Sequence, residues 1–109
     1  MISFLRAFFI LVILAMLVVT VRASLDTAIW AIPPMVTADK WFQATLADAY
    51  FGFLTFFIWV AYRENSFARS AVWFILIMLL GNIAMASYAL IQLFKVDASA
   101  SLRSVLVRS

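Results

Sequence analysis

The sequence predicts an all-α integral membrane protein with three transmembrane helices, the second and third packed as an antiparallel hairpin. Three observations lead there. Of 109 residues, 68% are hydrophobic and 12% are charged, whereas an ordinary soluble domain is about half apolar and about a quarter charged. Three apolar runs, at 4–21, 41–62 and 71–94, reach or approach the roughly 20 residues that carry a helix across a bilayer core of about 30 Å. None of them alternates apolar with polar residues as a barrel strand does, and an isolated segment in lipid satisfies its own backbone only as a helix. A water-soluble chain this small also lacks the interior to hide so many large side chains. The whole of 1–109 reads as a single membrane domain.

The first run, FLRAFFILVILAMLVVTV, is interrupted only by Arg6 near its outer end. Val21-Arg22-Ala23 ahead of Ser24 imitates a signal-peptide cleavage site. The apolar stretch is long for a signal core and an arginine is out of place there, so an uncleaved span is expected. The loop 22–40 contains SLDTAIWAIPP, which has two readings. One is a short interfacial helix capped by Ser24 and stopped by Pro33 and Pro34, with Leu25, Ile29 and Ile32 on one side. The other is an irregular loop.

The second run carries Asp48 as its one formal charge, and the third carries none. Between them RENSFARS is short and polar, which predicts the hairpin. Trp41, Trp59, Tyr62 and Trp73 fall near run ends, where amphipathic rings suit the headgroup layer. The tail 95–109 is Ser-rich, with Leu102, Val105 and Leu106 at helical spacing. It either rests on the membrane or is disordered, and its composition favours disorder.

The chain has no cysteine and no histidine. That removes disulfides, thiol chemistry, haem ligation through His and nearly every zinc arrangement, so no cofactor and no metal is expected. The formal net charge is +3, but the basic residues stand singly at the ends of apolar runs. A nucleic-acid partner is therefore not expected. With three spans, Arg6, Arg63 and Arg69 share one side, while Arg22, Lys40, Lys95, Arg103 and Arg108 share the other. Charge density and raw count then point in opposite directions under the positive-inside rule, and sidedness stays open.

Asp48 raises the main question of chemistry. If the second helix starts near Trp41, the carboxylate lies about 10 Å along it. If regular helix starts at Thr45, then Thr45-Leu46-Ala47-Asp48 is a capping box. In the deeper reading Asp48, Gly52 and Thr55 share a small, polar helix face. The third run offers Gly81, Asn82, Ala86 and Ser87 as close-packing partners. Folding a straight hairpin about its midpoint places Asn82, Ser87 and Tyr88 within about one turn of Asp48. The candidate polar site is thus Asp48, Asn82, Tyr88, Ser87 and Thr45, with Arg22 reaching inward, and the helix-packing positions are Gly52, Thr55, Gly81 and Ala86. A structural link or cap is the first reading of it; a site for a proton, ion or headgroup is the second. Gln92 reads as interfacial and Glu64 as the solvated partner of a nearby arginine.

Two stretches, TLADAYFGFLTFFIWVAYRENS and RSAVWFILIMLLGNIAMASYALIQLF, resemble a family of small integral membrane proteins of unassigned function. The resemblance rests on Trp41 ahead of Thr45, Leu46, Asp48 and Tyr50, on the exit from Trp59 to Glu64, and on Leu80 to Asn82. It covers residues 41–94, about half the chain. It implies the topology and no catalytic residue, ligand or partner.

The functional expectation is a multi-pass protein of the cell membrane without catalytic activity. Its partners are the lipid bilayer and either other membrane subunits or copies of itself, as an accessory, assembly or self-associating subunit. The alternative is an oligomeric transporter or channel component in which Asp48 is protonated or binds an ion. A lipid-modifying enzyme is disfavoured, because no His or Cys is present to act as base or nucleophile.

Overall fold

A computed structural model describes residues 1–107; Arg108 lies outside the described residues. They form an all-helical chain: α1 (Ile2–Asp26), α2 (Pro34–Thr37), α3 (Lys40–Arg63), α4 (Phe67–Leu80), α5 (Asn82–Phe94) and α6 (Arg103–Leu106), with a single 3-10 turn at Ile29–Ala31. Two of these helices, α1 and α3, are long and apolar enough to cross a membrane. With 25 and 24 residues they are about 37 and 36 Å long.

α1 is apolar on every face and keeps only Ile2 buried. In water such a helix belongs inside a protein core; here nearly all of it is on the surface. α3 starts at Lys40 because Asp39 caps it, the carboxylate accepting from the backbone N–H groups of Trp41 and Phe42 at 2.9 and 3.1 Å. This removes the capping box at Thr45, whose hydroxyl instead donates back to the Trp41 carbonyl at 2.9 Å. The first loop also differs from its helical reading. Ser24 lies within α1, and the proline pair begins a helix instead of ending one, with Pro34 in the first turn of α2. A ring-fixed φ and a missing N–H are tolerated there.

The third apolar run is not one helix. It breaks at Gly81, which has φ +58° and ψ −124°, a region that L side chains avoid and glycine enters freely. From that point α5 runs back toward the end of the molecule where α4 began. The rings of Trp73 and Tyr88 are 4.9 Å apart, although 15 residues of straight helix would separate them by about 22 Å. Further along, Gln92 lies against Arg63, close to the start of α4. The predicted continuous span at 71–94 is therefore corrected to a helical hairpin, α4–α5, whose arms are about 21 and 20 Å long. The first half of the third run, α4, lies antiparallel along α3, with the Phe57 and Phe74 rings 5.1 Å apart and the Tyr50 hydroxyl donating to the Met78 carbonyl at 3.3 Å; the second half, α5, turns back at Gly81.

One core forms where this hairpin meets α3. Tyr88, Val60, Ile77 and Ala84 are buried, with Phe53, Phe56, Trp59 and Trp73 packed around them. Trp59 and Trp73, read as headgroup anchors, are instead the walls around Tyr88. A second core joins Ile2, Leu93 and Val105, so residues 1 and 107 come to the same end of the molecule. The small side chains Ala86 and Ala89 are buried along α5, and α1 packs most extensively on that helix. The tail is ordered on this second core through α6. Val105 packs on Ile2 and Leu93, and Leu102 and Leu106 line the cavity beside them.

The tail's hold is testable. Val105→Asp would place a carboxylate among Ile2, Leu5 and Leu93, and also forfeits the burial of a valine, about 1.5–3 kcal/mol. Limited proteolysis between 95 and 103 is expected to accelerate by about tenfold or more. Leu106→Asp, at a half-exposed position, is the control and is expected to change the rate far less.

Candidate functional site

The polar side chains of the fold gather at the end shared by the first turn of α1, the α3–α4 turn, the C-terminus of α5 and the tail. Tyr88 and Gln92 are one helical turn apart on the face of α5 turned inward, and both are buried, Gln92 being 2% exposed. α3 delivers Arg63 and Glu64 to them as it ends. The Tyr88 hydroxyl donates to Glu64 Oε2 at 2.8 Å. Arg63 Nη2 donates to Gln92 Oε1 at 2.6 Å and Nη1 to the Val107 carbonyl at 2.7 Å. Trp59 Nε1 donates to the Leu106 carbonyl at 2.9 Å. Three sequence-distant segments, the end of α3, α5 and the tail, are tied by these bonds.

Arg6 completes the cluster from α1. Its Nη2 donates to the carbonyls of Leu93 and Val96 at 3.0 and 2.7 Å, and its guanidinium lies 4.7 Å from the centre of the Phe94 ring. The last carbonyls of a helix have no intrahelical donor and carry partial negative charge. A guanidinium at the end of α5 satisfies both conditions at once. The Nε atoms of Arg6 and Arg63 are buried without a hydrogen-bond partner among the described residues. Beside the cluster, an apolar cavity of about 250 Å³ is lined by Leu5, Phe9, Phe56, Trp59, Val105 and Leu106, among others.

The predicted site is distributed differently. Asp48 is exposed and lies 15 residues from Arg63, about 22 Å along α3. Asn82 is exposed at the tip of the α4–α5 hairpin, and Arg22 is exposed near the end of α1. The hydroxyls of Ser87 and Thr55 bond back to their own helices, at Ile83 and Phe51, at 2.7 and 2.9 Å. Gly52 faces open space, so it makes no close helix contact among the described residues. Gly81 is the turn itself. Of the helix-packing positions, Ala86 and Gly81 are buried, and Gly81 lies close against the Phe53 ring of α3. The structure brings Tyr88 to Glu64, away from Asp48, while Asn82 and Gly81 line a cavity with Leu46, Ala49 and Tyr50 of α3, near the level of Asp48. The register behind that grouping assumed a straight third span, and the reversal at Gly81 moves Tyr88 to the opposite end from Asp48.

Glu64, Arg63, Gln92 and Arg6 were the residues missed. One signal for them was present in the sequence: Tyr88 and Gln92 stand at i and i+4 among alanines, a polar stripe on a small-residue face. Arg63-Glu64 supplies the complementary groups one short turn before α4.

The chain belongs to the family described as "Protein of unknown function (DUF1475)", whose model matches residues 2–109. The match extends over α1 and the tail, beyond the half of the chain that carried the sequence resemblance. No curated protein and no solved structure matches it.

Proposed function

We propose that the chain is an integral membrane protein without catalytic activity, crossing the bilayer through α1 and α3 and inserting α4–α5 as a hairpin from one side. It acts as an accessory or assembly subunit, either of other membrane proteins or of its own oligomer. The observation that carries this reading is the exposure of α1 and α3. Of the 18 most apolar residues of each helix, 6% are buried. Lipid or partner helices are the environments that accept such a surface. The hairpin arms reach only part of the way along α1 and α3, so their far halves, 17–27 and 43–52, are exposed throughout. Neighbouring helices from other subunits fit there.

Native mass spectrometry of the protein, released gently from its own membranes, tests this. A defined oligomer or a stoichiometric complex with another membrane chain is the expected result. A lipid-filled monomer would contradict it.

Asp48 favours a second reading, as a protonatable or ion-binding element of an oligomeric transporter. It is exposed about 12 Å along α3, and an aspartate facing hydrocarbon near the bilayer centre costs about 2.5–3.5 kcal/mol. Water, a partner or a proton relieves that cost. In the subunit reading, Asp48→Asn alters assembly or stability and produces no change in ion permeability of liposomes. In the transporter reading, purified protein carries protons or ions and Asp48→Asn abolishes the flux at unchanged folding.

A further inference from the structure

The reversal at Gly81 reassigns charge to the two ends of the molecule. In a straight three-span chain, Lys95 and Arg103 would lie opposite Arg6, Arg63 and Arg69. In the folded chain α5 returns to the end where α4 starts, and Ile2, Leu93 and Val105 pack together there. Arg6, Arg63, Arg69, Lys95 and Arg103 therefore share one end, against Glu64 and Asp97. The other end holds Arg22 and Lys40 against Asp26, Asp39 and Asp48. The described chain is thus net cationic at one end and net anionic at the other.

We propose that the cationic end is a docking surface for the anionic phospholipid headgroups of the cytoplasmic leaflet, and that it fixes the protein with residues 1 and 107 both on the cytoplasmic side. The inference rests on the membrane reading above. Lys and Arg close to the ends of spans are retained on the cytoplasmic side. Each basic residue near an anionic leaflet is drawn to it by the negative surface potential. Arg69 and Lys95 are exposed at this surface, and Arg103 is exposed on α6. Arg6 and Arg63 hold the carbonyls of α5 and of the tail, so they keep the surface assembled. The conflict between charge density and charge count in the sequence disappears, because both now favour the same end.

The test uses the absence of native cysteine. Single-cysteine variants Thr37→Cys, Asn65→Cys and Ser99→Cys are expressed in the native membrane and treated with a membrane-impermeant maleimide, before and after permeabilisation. The expected result is labelling of position 37 in intact cells, with positions 65 and 99 labelled only after permeabilisation. Labelling of 65 and 99 from outside, with 37 protected, reverses the orientation and overturns the proposal. Positions 37 and 99 together on one side, opposite 65, would establish three crossings and overturn it as well. Failure of the membrane reading itself has a separate signature, release of the protein by alkaline carbonate. A second measurement isolates the charge. Arg69→Gln/Lys95→Gln is expected to weaken association of the purified protein with phosphatidylserine vesicles relative to phosphatidylcholine vesicles by at least tenfold; equal association with both would contradict the headgroup assignment.

Discussion

Gly81→Ala is expected to destabilise the detergent-solubilised protein by about 2–4 kcal/mol, the sum of two separate costs. The first is in the backbone: φ +58° with ψ −124° lies outside the regions open to an L residue, a strain of about 1–3 kcal/mol. The second is steric, since a Cβ there would stand 2.8 Å from the Phe53 Cζ atom, and overpacking typically costs about 1–3 kcal/mol. The close atom is the tip of a side chain and not backbone, so the second cost is the smaller. A thermal melt followed by tryptophan fluorescence reads the loss, because Trp59 and Trp73 both pack on Tyr88 within the same core. The double variant Gly81→Ala/Phe53→Leu removes the contact and leaves the backbone strain, so it is expected to recover only part of the stability. Full recovery would mean that the turn does not depend on glycine's conformational freedom.

Tyr88 carries the second large effect. Its ring is fully buried and makes edge contacts with Phe56, Trp59 and Trp73. Truncating a buried aromatic side chain to alanine costs about 3–5 kcal/mol, and Tyr88→Ala is expected at that level. Tyr88→Phe keeps the ring and removes only the donor to Glu64. A hydrogen bond to a charged group contributes about 1.5–3 kcal/mol, so a loss in that range is expected. A double-mutant cycle with Glu64→Gln separates the pair from its surroundings. Coupling near zero would show that the hydroxyl–carboxylate contact adds nothing beyond the packing of the ring.

What was legible in the sequence depended on whether a single segment held the information. α1 and the body of α3 could be found because length and apolarity belong to each run by itself. Asp39 stands directly before Lys40 and Trp41, a readable cap signal that the capping-box alternative at Thr45 obscured. The break at Gly81 was hidden for a physical reason. Glycine is common in membrane helices, and nothing between 71 and 94 is charged or proline. The reversal is fixed by tertiary contacts, namely Phe53 against the turn and Tyr88 enclosed by rings from α3 and α4. Once the third run was taken as straight, the registers beyond Gly81 were displaced, which is why Asp48 was paired with Tyr88, while the register up to Gly81, which meets Phe53, was kept. The tail shows the same dependence: Leu102, Val105 and Leu106 had helical spacing, but the surface they cover exists only when Ile2 and Leu93 meet.

This reversal also decides the electrostatics. The five described basic residues at the cationic end come from α1, α3, α4, the segment after α5, and α6. Only the return of α5 unites them. In the proposed topology, two spanning helices with an inserted hairpin differ from three antiparallel rods in where their charge resides, and so in how they would sit in a membrane.

The most direct test of the fold is the distance between the two arms of the third run. With no native cysteine to interfere, spin labels placed by Phe67→Cys and Lys95→Cys report it by pulsed dipolar spectroscopy. The folded-back arrangement predicts a single distribution below about 25 Å, as for the neighbouring ends of packed helices whose axes are about 8–10 Å apart. A distribution centred near 42 Å, the length of about 28 residues of straight helix, would contradict it.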